Sequence, residues 1–209
     1  GIYARSPFQQ LPDGRFIVVE DEKQHPFSLV TIGPDGSASS TPLEPGLLEA
    51  GDAFWKLDDL EGVALDRSGH VYALTSHSRD NDGDVKKSRD KLVRFRIEGD
   101  RVVEPKVVRG LKPALTAAHP VLASAAGIRD VKTGGGLNIE ALEISPGNSP
   151  GNSPDQQRLL IGFRSPLLHG RAIIASIDNP VSMFEAAEPA RVSPLLDTLD
   201  LDGHGLRGM

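Results

Sequence analysis

Leu60-Glu61-Gly62-Val63-Ala64-Leu65-Asp66 (LEGVALD, residues 60–66) returns 79 residues later as Ile139-Glu140-Ala141-Leu142-Glu143-Ile144-Ser145 (IEALEIS, residues 139–145). Each copy opens on an apolar residue, Glu and a small or apolar residue, then runs on as a buried strand. A short polar residue precedes each, Asp59 in one and Asn138 in the other. After a turn comes a second strand-like run, His70–Ser76 (HVYALTS) and Arg158–Phe163 (RLLIGF), and these end in Ser76-His77-Ser78 and Arg164-Ser165. Self-similarity of this kind is read before any local assignment, because it sets the architecture. Third strands are predicted at Lys91–Ile97, which alternates between faces, and at Arg171–Ile177; outer fourth strands are predicted at Val102–Val108 and Ala190–Leu195.

Two further copies are partial. Arg15–Val19 resembles a second strand and ends in Glu20-Asp21-Glu22. Leu199–Arg207 repeats the polar, apolar, acid, Gly opening, with Asp202 in the place of Glu. The spacings from 61 to 140 and from 140 to 202, 79 and 62 residues, exceed the roughly 40–50 residues of a compact propeller blade. Insertions account for the excess. Leu111–Gly136 carries a short helical insertion near 113–126, with Pro113 in its first turn, Leu115, Ala118, Leu122 and Ala126 at helical spacing, and a break near Pro120. Pro146–Asp155 holds a tandem Gly-Asn-Ser-Pro pair and reads as a mobile hairpin tip. The expected fold is all-β: a β-propeller of about three four-stranded antiparallel blades plus the start of a fourth, part of a larger ring, with residues 1–209 as a single domain incomplete at its C-terminus. Separate β-sandwiches are the alternative.

Composition agrees with many short strands and tight turns. The 209 residues include 22 Gly and 16 Pro but only 5% aromatics, and the length suffices for a substantial core. The net charge is −6 and the 23 Lys and Arg are scattered, so no basic stripe marks a nucleic-acid partner. No apolar run approaches the roughly 18–20 residues that span a bilayer. There is no cysteine, which suits a reduced cytoplasm and equally a disulfide-free periplasmic or secreted protein. The start, GIYARSP, has neither an initiator Met nor a signal peptide's apolar core, as in a processed or trimmed chain. The compartment stays open.

In an antiparallel meander the start of the first strand lies beside the end of the second. Asp59 and Glu61 then stand next to Ser76-His77-Ser78, and Asn138 and Glu140 next to Arg164-Ser165, on one face of the ring. Carboxylates at the mouth of a core strand are tolerated there because they face a wet channel. Several acids in one place raise one another's pKa, and a hard divalent cation, Ca²⁺ or Mg²⁺, held by Glu61, Glu140 and Asp202 with Asn138 and Asp59 in support, would relieve the repulsion. Arg164 and Arg207 would serve as well, as purely structural ties between blades. Ser76-His77-Ser78 is either a polar strand end or the seat of an acid–base group, His77.

Other signals fall away. Ser78–Gly83 imitates the opening of an EF-hand, but position 1 is Ser and position 12 is Arg89. Gly134-Gly135-Gly136 follows no strand and opens no helix, so it is no phosphate loop. There is no Gly-x-Ser-x-Gly and no His-Glu-x-x-His. His25, His70, His119 and His169 are isolated and read as surface or packing groups.

The succession DLEGVA, LTSHSR, KLVRFRI, GGLNIEAL, LLIGFRSPL and DLDGHGLRGM resembles the bacterial domain-of-unknown-function family 3616 over nearly the whole chain. The resemblance implies a propeller distantly similar to phytase-like esterase propellers and the gluconolactonase type, in which acids at the channel mouth hold a divalent cation. The family has no settled activity. Ala141 departs from the Gly expected after Glu140, and the family pattern would continue past Arg207 with another strand pair.

Two functions follow as expectations. In the first, a divalent-metal-dependent hydrolase of a phosphoester, ester or lactone uses Glu61, Glu140 and Asp202 for the cation, Arg164 and Arg207 with Ser76, Ser78 and Ser165 for an anionic small-molecule substrate, and His77 to move a proton. In the second, the same rim is a non-catalytic scaffold for a small molecule or a protein, its acids paired with Arg and free of metal.

Overall fold

A computed structural model describes residues 7–20, 25–45, 51–131, 133–145 and 157–209. Within them the chain is mostly β, in three sheets. The first is β1 (Phe8–Gln10), β2 (Phe16–Val19), β3 (Phe27–Ile32) and β4 (Ala38–Pro42). β5 (Glu44–Pro45) leads on to the second, β6 (Leu60–Leu65), β7 (Val71–Thr75), β8 (Leu92–Glu98) and β9 (Arg101–Val108), and adds to the outer edge of β9 as a short parallel strand. The third is β10 (Asn138–Ser145), β11 (Arg158–Ser165), β12 (Ala172–Ile177) and β13 (Val192–Leu199). Each four-strand set is an antiparallel meander in chain order, as the repeat predicts. The first sheet is more complete than the single strand read there from sequence, and β13 begins two residues later and runs four further than expected. No strand follows β13 among the described residues, so the expected fourth unit is represented by an irregular segment. Asp21, Glu22 and Pro146–Asp155 lie outside the described residues.

β7 explains how the sheets stack. All five of its residues are buried, and successive side chains of a strand point to opposite faces. Val71 and Ala73 join a core with Ile17, Val19, Phe27 and Leu29 of the first sheet. Tyr72 and Leu74 join another with Ile139, Ile161, Phe163 and Ile173 of the third. The second sheet is therefore sandwiched, which is why VYALT has no polar face. Phe95 of β8 packs against Phe27 at a ring separation of 4.9 Å, and Tyr72 meets Phe184 edge-on at 5.6 Å.

The helical insertion is α2 (Leu111–Ala118) and α3 (Pro120–Gly127), after a short α1 (Asp52–Trp55). His119 between them is extended (φ −133°), because a residue before Pro is steered out of the helical region. Leu111, Leu115, Leu122 and Ala125 bury the inner face against the second and third sheets. α4 (Pro180–Glu185) carries Phe184 and Glu185 to β8, where Arg94, 2% exposed, stacks 5.0 Å from the Phe184 ring and hydrogen-bonds Glu185. Lys106 adds a second cation, 2.6 Å from Glu185. No helix among the described residues is long and apolar enough to cross a membrane.

The sheets approach most closely where β6 crosses β10. A Cβ on Gly62 would lie 2.6 Å from Leu142 Cβ and 3.0 Å from Leu142 N, so glycine is required by contact. The backbone seals the same junction, with Ile139 N–H donating to Ser76 O at 2.9 Å.

Gly62→Ala is expected to destabilise the protein by about 1–3 kcal/mol, as overpacking does, measured by denaturant unfolding. Arg94, then Lys106, hold the Glu185 carboxyl down at about 2. A depressed carboxyl contributes stability above its unfolded value, near 4.5, that is lost as pH falls toward 2. Glu185→Gln should therefore lower the thermal midpoint at pH 7 and flatten its fall between those limits; an unchanged acid limb would show the tie to be idle.

Candidate functional site

The two repeat glutamates sit at matching defects in the ladder. In the second sheet Leu60 pairs with Thr75 and Gly62 with Leu74, leaving Glu61 unpaired between them. In the third, Ile139 pairs with Phe163 and Ala141 with Gly162, leaving Glu140 unpaired. A bulge re-aims its extra side chain, and here both bulges face the β6–β10 junction. Burial first, then the negative charges of Asp59 and Glu140 and a hydrogen bond with the Asp59 carboxylate, push the Glu61 carboxyl up to about 8; Arg164 opposes them only weakly. Glu61 and Glu140, one from each sheet, thus share one site, as the repeat predicts.

Their neighbours are not equivalent. Asp59 has a left-handed backbone (φ 61°), which a short polar residue tolerates, and its carbonyl accepts from Ser76 N–H at 2.8 Å. Asp59 Oδ2 takes a hydrogen bond from Ser78 Oγ (3.2 Å) and is ion-paired with Arg89 Nη1 (3.1 Å). Arg89 Nε donates to Asp58 Oδ2 at 3.0 Å. Glu140 Oε1 is held by Arg164 Nη1 at 2.7 Å and by Asn138 Nδ2 at 3.1 Å. Each flanking acid has its own guanidinium, and Glu61 between them has none of its own.

Arg89 was missed from sequence. It closes the 3₁₀ turn Lys87–Arg89 in the β7–β8 connection, and a meander that ends β7 at this rim must place that connection there too. Topology could have found it where spacing could not.

The remaining expected residues are placed otherwise. His77 is 1% exposed, its Nδ1 2.7 Å from Thr75 O and its Nε2 facing Asp90; it is a buried fastening, out of reach of a rim substrate. Ser76 and Ser78 are buried, their hydroxyls 2.9 Å apart, and Ser165 Oγ donates to Gly136 O. Ser165 is thus spent on the backbone and Ser76 on Ser78, while Ser78 also touches the rim through Asp59 and Arg89. Arg164 is engaged by Glu140. Arg207 is exposed.

Asp202 stands on an exposed turn, its N–H donating to Asp200 Oδ1 at 3.3 Å, and it is not among the groups that act on Glu61. Leu206 N–H donates to Phe163 O at 3.0 Å, which fastens the segment after β13 to β11. Gly205 lies against the Arg164 backbone, and Leu206 against Gly162.

The cluster has the oxygen donors a hard cation accepts, yet among the described residues no three acidic or histidine side chains are placed to hold a metal ion. Asp59 and Glu140 already carry Arg89 and Arg164. A divalent cation of the kind the resemblance implies would have to share these two carboxylates with their guanidinium partners.

No protein-family model matches the chain, and no curated protein does. Among solved structures, a protein from Lactobacillus plantarum is similar over 87% of this chain and 35% of its own length, at 12% identity and a TM-score of 0.32. The chain spans about a third of that protein, and a likeness so distant assigns no chemistry.

A carboxyl whose folded pKa is raised adds stability that is complete below its unfolded value, near 4.5, and is lost as pH rises toward 8. Glu61→Gln keeps a hydrogen-bonding side chain without the charge. Its thermal midpoint should exceed the parent's at pH 8 and converge on it at pH 4; a parent with no decline between those values would show that Glu61 ionises freely.

Proposed function

We propose that the three sheets are blades of a propeller-like ring and that the rim around Glu61 is the binding face of a non-catalytic scaffold for a small, neutral, hydrogen-bonding molecule. The observation that carries this reading is the pairing of Asp59 with Arg89 and of Glu140 with Arg164, which satisfies the flanking charges within the protein. Glu61, protonated at neutral pH, then offers a donor without net charge. An anionic ligand is disfavoured, because Arg164 is committed and the local balance of Asp58, Asp59 and Glu140 against Arg89 and Arg164 is negative.

A second reading, hydrolysis of an ester, phosphoester or lactone, is favoured by one feature. A carboxyl pushed up to about 8, as Glu61 is, is suited to general acid–base work at neutral pH. In that case Glu61 gives its proton to the leaving oxygen as water adds to the ester carbon or phosphorus and the bond to that oxygen breaks, the water's proton returning to Glu61. Resemblance to the phytase-like and gluconolactonase propellers supplies the substrate class. No step is routed through a metal.

Calorimetric titration of Ca²⁺, Mg²⁺ and Mn²⁺ into chelator-treated protein is expected to show no saturable binding up to millimolar concentration. A tight site lost in Glu61→Gln would overturn the scaffold reading in favour of the metal-dependent one. Turnover of a lactone or aryl ester by the parent, absent in Glu61→Gln, would instead select the metal-free hydrolase.

A further inference from the structure

The setting of the His77 ring decides where its protons sit. Nδ1 lies 2.7 Å from Thr75 O, and a carbonyl oxygen can only accept, so Nδ1 carries hydrogen. Nε2 faces Asp90 Oδ1 at 3.1 Å. Both atoms are cut off from solvent, and neither has a hydrogen-bond partner among the described residues. A ring with one proton therefore sets two acceptors against each other inside the protein, and a second proton on Nε2 turns that opposition into a charge-assisted N–H···O bond.

We propose that His77 and Asp90 form a proton-operated latch that draws the turn Lys87–Arg89 onto the end of β7 and so sets the grip of Arg89 on Asp58 and Asp59. The connections needed are already in place. His77 N–H donates to Arg89 O at 2.8 Å, and His77 O accepts from Lys112 Nζ of α2 at 2.9 Å. Asp90 immediately follows Arg89 in the chain. The charged groups around the ring are Asp90 and Arg89 from the turn, Lys112 from α2 with Arg79 behind it, and Asp59 at the head of β6, reached through Ser78. Burial lowers the affinity of the imidazole for a second proton, against the pull of Asp90, so the latch is open at neutral pH and takes its proton below the ordinary histidine value of about 6.5. It would operate whether or not the rim holds a ligand.

The test is nuclear magnetic resonance of the ¹⁵N-labelled chain. At pH 7.5 the long-range imidazole spectrum of His77 is expected to show hydrogen on Nδ1 and a bare Nε2. Acidification should protonate Nε2 with the same midpoint at which the amide signals of Arg89, Asp90 and Lys112 move. Asp90→Asn presents an N–H to Nε2 and forms the bond with no added proton. It should raise the thermal midpoint at pH 7.5 by about 2–4 °C and freeze the Arg89 and Lys112 signals against pH. Hydrogen on Nε2 at pH 7.5, or Arg89 and Lys112 titrating in Asp90→Asn as in the parent, would overturn the proposal.

Discussion

The structure depends on the contact between β6 and β10 at Gly62. With Leu142 Cβ only 2.6 Å from the place a Cβ would take, the two first strands approach as closely as backbone allows, and the cross-sheet bond from Ile139 N–H to Ser76 O follows. That approach brings a glutamate from each sheet into one place. Had the sheets been held apart by a larger residue, Glu61 and Glu140 would each have faced water alone. Packing density here is the cause of the electrostatics, since interiors close to crystal-like density leave little room to separate like charges.

The charges are then managed by arginines that the two copies place differently. Arg89 comes from the β7–β8 connection and Arg164 from the bulged end of β11. A guanidinium presents a planar fork of donors, so one side chain can serve Asp58 and Asp59 together. Glu61 keeps its proton instead. Protonation and guanidinium pairing are two answers to the same repulsion, and the chain uses both within one cluster.

Sequence made the second and third sheets legible because their strands repeat an apolar period of two behind a shared acid, and because Gly, Pro and Asp punctuate the turns. Most of the first sheet escaped. β4 is ASSTP, exposed throughout, and β3 follows no glutamate motif, so neither matched the template that identified the others. The helical insertion was legible with its break, since Pro120 both ends one helix and starts the next. At the site, the recurring Glu behind an apolar residue marks Glu61 and Glu140, which lie close enough to act on each other, whereas Asp202 stands on an exposed turn. A Gly follows the acid in LDG as it does in LEG, so the short motif does not distinguish a bulged strand start from an exposed turn. His77 was legible as a polar residue at a strand end, whereas its burial depends on α2 and the turn before β8, which arrive from distant parts of the chain.

β5 gives the stack an asymmetry. The chain leaving the first sheet buries Leu43, donates from Glu44 N–H to Asp100 O at 3.0 Å, and pairs Glu44 and Pro45 with Arg101 and Val102. That edge of β9 would otherwise offer free backbone groups to another chain. The connector thus works as a hem: fraying of the middle sheet from its rim must first lift the strap sewn along it, so loss of the N-terminal sheet and loosening of its neighbour are mechanically one event.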